Sequence, residues 1–136
     1  KNKIKKLTAS NNKIELHNFI PNEQVSKVMS QAKFLILPSE WYEGFSITLL
    51  EAFVNKLPVL SSNIVSMQEI IKNNVNGMLF KSGDVQDLTE KISKMIISPN
   101  LLNSIKEKAY EIYQLLYSKE KNYKVLMDIY NEIKKI

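Results

Sequence analysis

Short apolar runs alternate with longer amphipathic stretches through the first hundred residues. Ile14-Glu15-Leu16-His17-Asn18-Phe19 alternates at period two and predicts a strand, broken by Pro21-Asn22. Glu23 to Gln31 predicts a helix with Val25, Val28 and Met29 on its inner face. Phe34-Leu35-Ile36-Leu37 is a continuous apolar run ended by Pro38-Ser39, the pattern of a strand buried on both faces. A helix from about Ser46 to Asn55, a strand at Pro58 to Ser62 and a short helix from Ser66 to Lys72 follow. An Asn76-Gly77 turn then leads into Met78-Leu79-Phe80, and Asp84 opens a helix to about Ser98. Strands alternating with helices in this way predict an α/β fold, a Rossmann-like parallel sheet with helices on both faces. Ligands of such sheets sit beyond the carboxyl ends of the strands, which puts the segments 18–23, 38–46 and 62–68 on the functional edge.

From Pro99 the pattern is helical. Leu102, Ile105, Ala109, Ile112 and Leu116 form one apolar seam, and Tyr123, Leu126, Tyr130 and Ile133 repeat it after a break near Ser118. The alanine and the short length fit packing on the domain's own sheet, or on a neighbouring domain, better than a coiled coil. The expected organisation is one truncated domain over 1–136, with the sheet and its crossover helices at about 14–98 and terminal helices at about 100–135.

At 136 residues the chain has room for a single core. It has no cysteine, hence no disulfide, thiolate metal site or cysteine nucleophile, and its one histidine, His17, leaves little for zinc or for a Ser-His-Asp arrangement. No apolar run approaches the length of a membrane helix. The net charge is +5, and all nineteen basic residues are lysine. Without the arginine fork, guanine readout is disfavoured, and no nucleic-acid partner is expected. Five lysines within the first thirteen residues read as a basic patch or as one end of a solvated helix.

The chemistry concentrates in residues 38–51, Pro-Ser-Glu-Trp-Tyr-Glu-Gly-Phe-Ser-Ile-Thr-Leu-Leu-Glu. Gly44 permits a sharp turn or the close approach of a ligand. A helix beginning near Ser46 exposes unpaired N–H groups at Phe45 to Thr48, an anion site suited to a diphosphate. Ile47, Leu49, Leu50, Ala52, Phe53 and Val54 make that helix almost wholly apolar, so burial on most sides is expected. Glu51 is the exception, and a carboxylate in such a helix needs a partner, for which a pair of ligand hydroxyls would serve. Glu43 lies across the helix entrance. Either glutamate alone has a plainer explanation as a dipole-complementing or solvated acid; the combination favours a ligand.

Glu43-(seven residues)-Glu51, reading EGFSITLLE, resembles the E-x7-E motif of retaining glycosyltransferases of the GT-B fold, family 4. The likeness continues in Asn18-Phe19-Ile20-Pro21-Asn22-Glu23, in Phe34 to Ser39, in Lys56-Leu57-Pro58-Val59-Leu60 and in Met67-Gln68-Glu69-Ile70-Ile71 followed by Asn76-Gly77-Met78-Leu79-Phe80. It covers roughly residues 14 to 97. The resemblance implies the carboxyl-terminal, donor-binding domain of such an enzyme. It implies that Glu51 holds the ribose hydroxyls, that amides of Phe45, Ser46, Ile47 and Thr48 hold the diphosphate with Gly44 also at the donor site, and that Phe19 and Ile20 lie by the base. Glu43 would be the catalytic residue, near the reacting carbon of the sugar.

The donor would be a nucleotide-diphosphate sugar, and the acceptor a glycan or lipid-linked molecule held by an amino-terminal domain outside this chain. No cofactor or metal is implied, and Asp84-Val85-Gln86-Asp87 reads as a helix start, not a metal motif. The implied setting is polysaccharide or glycolipid assembly in the cytoplasm, with peripheral attachment at the inner membrane face open to the full-length protein. The piece alone is expected to be inactive. The family often has Gly where Ser46 and Lys56 stand; Ser46 could add a hydroxyl to the phosphate site, and Lys56 reads as a solvated helix end. His17 reads as a core or strand-end histidine, and Trp41 and Tyr42 as an acceptor-facing surface or as aromatics that pack the loop. Alternatives are a nucleotide-sugar epimerase of the same fold and a non-catalytic module presenting the terminal helices and Tyr110, Tyr113 and Tyr117.

Overall fold

The computed structural model describes residues 8, 11–41 and 44–134. Three strands, β1 (Leu35–Leu37), β2 (Val59–Ser62) and β3 (Met78–Phe80), form a parallel sheet in the order β1-β2-β3. Leu35 stands beside Val59, and Leu60 beside Met78. The helices are α1 (Asn22–Gln31), α2 (Ile47–Val54), α3 (Val65–Ile70), α4 (Val85–Ile97), α5 (Pro99–Ile112) and α6 (Lys119–Ile133), with a π-helical turn at Tyr113–Tyr117 between the last two.

Alternation along the strands sorts the core into two layers. Leu35, Leu37, Val59 and Leu79 pack with Met29 of α1, with Leu49, Ala52 and Phe53 of α2, and with Met67 and Ile70 of α3. Phe34, Ile36, Leu60, Met78 and Phe80 pack with Met95 of α4 and Leu102 of α5. Every residue of β2 is buried, as expected of the middle strand of a sheet covered on both faces.

The alternating segment Ile14 to Phe19 is not a strand. These residues have no regular structure and are all exposed, Phe19 by 85%. Period-two patterning makes a strand only where a neighbour supplies a hydrogen-bonding edge, and β1 pairs with β2 alone among the described residues. His17 accordingly is neither core nor strand end; its Nε2 lies 3.3 Å from Glu15 in a solvent-exposed pair. Within α1, Met29 is buried and Val25 half-buried, but Val28 is exposed. The lysine-rich first residues lie almost wholly outside the described part, Lys13 apart.

Local chemistry sets the helix ends. Asp84 caps α4, accepting from the N–H groups of Gln86 and Asp87 at 3.1 Å each, while Asp87 accepts from the Lys81 N–H at 2.6 Å. Both carboxylates of that pair are thus in structural use. The Asp87 N–H, followed by the Lys81 charge, holds the Asp84 carboxyl below its ordinary range.

At the carboxyl end of α2, the Leu57 N–H bonds the Ala52 carbonyl (2.8 Å) and the Lys56 N–H the Phe53 carbonyl (3.1 Å), a Schellman motif. Lys56 therefore takes the left-handed position, at φ 53°, where glycine is usual. It is not merely a solvated end: its Nζ sits 2.7 Å from Glu107 and 4.8 Å from the centroid of the Tyr110 ring, tying α2 to α5. The hydrogen bond to Glu107 raises the Lys56 pKa and lowers that of Glu107.

Gly77 admits no side chain. A Cβ there would come within 2.9 Å of Ile71 Cγ2 and 3.3 Å of the Val59 carbonyl oxygen. Gly77→Ala is expected to lower unfolding free energy by about 1–3 kcal/mol through overpacking, measured by urea denaturation.

Candidate functional site

The loop after β1 carries the candidate site, and two buried serines at the end of β2 hold its base. Ser61 Oγ donates to the Leu37 carbonyl (3.3 Å), and Ser62 Oγ donates to the carbonyls of Leu37 and Ser39. Sequence reasoning missed this tie. Its signal was present as two serines ending an otherwise apolar central strand, since hydroxyls buried to 0% exposure require partners.

The loop delivers the chain to the amino end of α2. Ser46 is its N-cap, with Oγ accepting from the Leu49 N–H at 3.4 Å. That hydroxyl is 8% exposed with the residue and turned onto the helix, so it serves the cap first. The N–H groups of Phe45, Ser46, Ile47 and Thr48 have no acceptor among the described residues. Phe45, Ile47 and Thr48 are exposed, so this end of the helix is open to a solute. A Cβ on Gly44 would meet nothing within 4 Å; the space beside that backbone is free.

Helix α2 is less enclosed than its apolar sequence predicts. Leu49, Ala52 and Phe53 are fully buried, but Ile47 is 69% and Val54 40% exposed. Ile47, Glu51 and Val54 share one stripe at helical spacing. Glu51 is half-buried between these two exposed apolar residues. No side chain or backbone donor among the described residues satisfies its carboxylate. The rise from Ile47 to Glu51 is about 6 Å along the axis. An anion at the amide end and a hydroxyl-bearing group over Glu51 would therefore be adjoining parts of one ligand.

Other expected site residues are not gathered here. Glu43 and Tyr42 lie outside the described residues. Trp41 is 83% exposed. Phe19 and half-buried Ile20 belong to neither core cluster and precede α1 in irregular chain. Tyr110, Tyr113 and Tyr117 are half-buried rather than displayed, with Tyr113 and Tyr117 packed against the α2 layer. In the terminal helices, Leu102, Ile105 and Ala109 are buried, whereas α6 has no buried residue and exposes Tyr123, Leu126, Tyr130 and Ile133.

A cleft of about 520 Å³ lies elsewhere, along β3 between α3 and α4, lined by Asn63, Gln68, Lys72, Lys81 and Lys91 among others. Two of its lysines are already engaged, Lys81 with Asp84 and Lys91 with Asp87, each at 3.5 Å. We weigh the unsatisfied amides and carboxylate of α2 above this open groove, because unpaired groups define what a ligand must supply. Among the described residues no cluster of three potential metal ligands occurs, and no helix is long and apolar enough to cross a membrane.

A three-stranded parallel sheet covered on both faces, with an open helix end beyond its strands, defines a Rossmann-like α/β domain. Residues 1–112 match the family described as Glycosyl transferases group 1, and the chain belongs to that family, as a carboxyl-terminal domain of the GT-B fold. An exopolysaccharide phosphotransferase of Streptomyces coelicolor is 37% identical over 92 residues, covering 67% of this chain and 10% of that protein. A glycosyltransferase from Rickettsia africae superposes with a TM-score of 0.89 at 26% identity, over 98% of this chain and 36% of the other. An Anabaena protein, HepE, solved in complex with UDP-glucose, superposes with a TM-score of 0.85 at 17% identity, over 99% and 36%. The chain thus spans little more than a third of these two solved structures and a tenth of the Streptomyces protein.

Proposed function

We propose that this chain is the donor-binding part of a retaining glycosyltransferase, which moves a sugar from a nucleoside diphosphate sugar to a glycan, lipid or other acceptor. One observation carries the reading. The half-buried Glu51 carboxylate has no partner among the described residues and stands one turn beyond unpaired helix-opening amides. A diphosphate satisfies the amides of Phe45 to Thr48, and the attached ribose places its hydroxyls over Glu51. The UDP-glucose complex of the HepE relative supports this choice of ligand class.

The mechanism follows from charge. Cleaving the bond between sugar and diphosphate leaves negative charge on the phosphate oxygens. N–H groups fixed at the helix start stabilise that charge without reorganising, an effect worth several kcal/mol in preorganised sites. The fixed cap at Ser46 and the serine tie at Leu37 and Ser39 keep these donors in place. On the family resemblance, Glu43 steadies the positive character that develops on the sugar ring. The acceptor and the other wall of the donor cleft come from outside this chain.

Gly44→Ala tests the reading. Because a Cβ there meets nothing within 4 Å, the variant is expected to fold like the parent. Its methyl group would stand where the diphosphate approaches, so calorimetric UDP binding should weaken by about tenfold or more, the equivalent of losing one or two hydrogen bonds. Unaltered affinity would place the diphosphate elsewhere.

A further inference from the structure

Phe45 bears directly on the proposed phosphate site, yet little of its own surroundings holds it. It precedes the Ser46 cap and is 54% exposed. Its neighbour Gly44 has open space beside it, so no packing at that residue adds to the Ser46 cap in holding Phe45. One aromatic contact crosses to it: the ring of Tyr117 lies 6.0 Å away, centroid to centroid, tilted at 52°. That is within the range of a favourable tilted aromatic pair.

Tyr117 is held from several sides. It closes the π-helical turn Tyr113–Tyr117, and its half-buried side chain packs against the layer that contains Leu49, Ala52 and Phe53 of α2. Its carbonyl accepts from Asn122 Nδ2 at 3.0 Å, and the next residue, Ser118, caps α6 by accepting from the Lys121 N–H at 3.2 Å. A π-helical turn is a costly local departure that tends to persist where it re-aims side chains. Here it sets Tyr113 and Tyr117 on α2.

We infer that Tyr117 is a positioning residue for the donor site: its ring braces Phe45 and so holds the amides of Phe45 to Thr48 in the geometry that receives the diphosphate. The inference rests on the reading of the α2 amino end as that site. It needs the ring and not the hydroxyl, since the Tyr117 hydroxyl has no hydrogen-bond partner among the described residues.

The test is UDP titration by calorimetry, with the chain in its full natural polypeptide. Tyr117→Ala is expected to weaken binding by about two- to tenfold, the worth of one aromatic pair, and Tyr117→Phe to restore it to within about twofold. In a Phe45→Ala background, Tyr117→Ala should add no further loss. Should Tyr117→Ala fail to fold, Tyr117→Leu keeps the bulk against α2 while removing the ring, and is expected to show the same weakening.

Parental affinity in the ring-less variants, or equal weakening with Phe45 absent, would overturn the brace. Glu51→Ala in the same series separates the two ideas. Parental affinity there removes the site reading itself, whereas a loss there beside parental affinity in Tyr117→Ala or Tyr117→Leu removes only the brace.

Discussion

Glu51→Ala is expected to weaken UDP binding by about a hundredfold or more while leaving the fold intact. The magnitude follows from two hydrogen bonds to a charged acceptor, about 1.5–3 kcal/mol each when removal leaves their partners poorly served, set against 1.4 kcal/mol per factor of ten. Glu51→Gln keeps one acceptor oxygen and loses the charge, so a smaller deficit of about tenfold is expected. Stability should not fall in either variant. The carboxylate has no partner among the described residues, so replacing it severs no bond that holds the domain together. The combination of lost affinity with an unchanged melting temperature is what distinguishes a ligand-facing acid from a structural one. A fall in melting temperature with affinity preserved would reverse the assignment.

Asn76→Ala is expected to have the opposite profile. Asn76 is fully buried; its Nδ2 donates to the Ile70 carbonyl at 2.9 Å and its Oδ1 accepts from the Lys72 N–H at 2.6 Å. Truncation leaves two backbone groups unpaired, at about 1–3 kcal/mol for each that stays dry. A loss of about 2–6 kcal/mol follows, a large share of the stability of a small domain. Urea denaturation measures it. A midpoint indistinguishable from the parent would mean that water replaces both bonds. The side chain sits in the turn before β3, remote in sequence from α2, so UDP affinity of the folded fraction should stay as in the parent.

The sheet was legible because each of its strands announces itself. Phe34 to Leu37, Pro58 to Ser62 and Met78 to Phe80 are apolar runs closed off by Pro, Ser, Asn or Gly, and burial on two faces demands that composition. The caps were equally legible: Ser46 and Asp84 are short polar side chains immediately before periodic apolar positions. Ile14 to Phe19 misled because alternation reports what a segment could bury, not whether an edge exists to receive it.

Within α2, Glu51 stood out as the one acid in an apolar helix, but the openness around it was hidden. Ile47 and Val54 look like core, and only the packing shows that they flank Glu51 on an uncovered stripe. Lys56 in a left-handed position was invisible for a different reason. Its backbone cost is offset by Glu107 and Tyr110, fifty-one and fifty-four residues further along the chain. The π-helical turn has no composition of its own. It arises from how two helices must be joined when Tyr113 and Tyr117 face the same layer, and so nothing in the local sequence marked Tyr117 as a neighbour of Phe45.

Family membership rests on residues 1–112 and the fold on 98% of the chain, whereas the donor-binding role rests on a few groups at one end of α2. A crystal structure with UDP bound examines those groups most directly. Diphosphate oxygens are expected within hydrogen-bonding distance of the N–H groups of Phe45 to Thr48, and both ribose hydroxyls on the Glu51 carboxylate, if that role is right. UDP seated instead along β3, against Asn63, Lys72 and Lys91, with Glu51 facing only water, would contradict it.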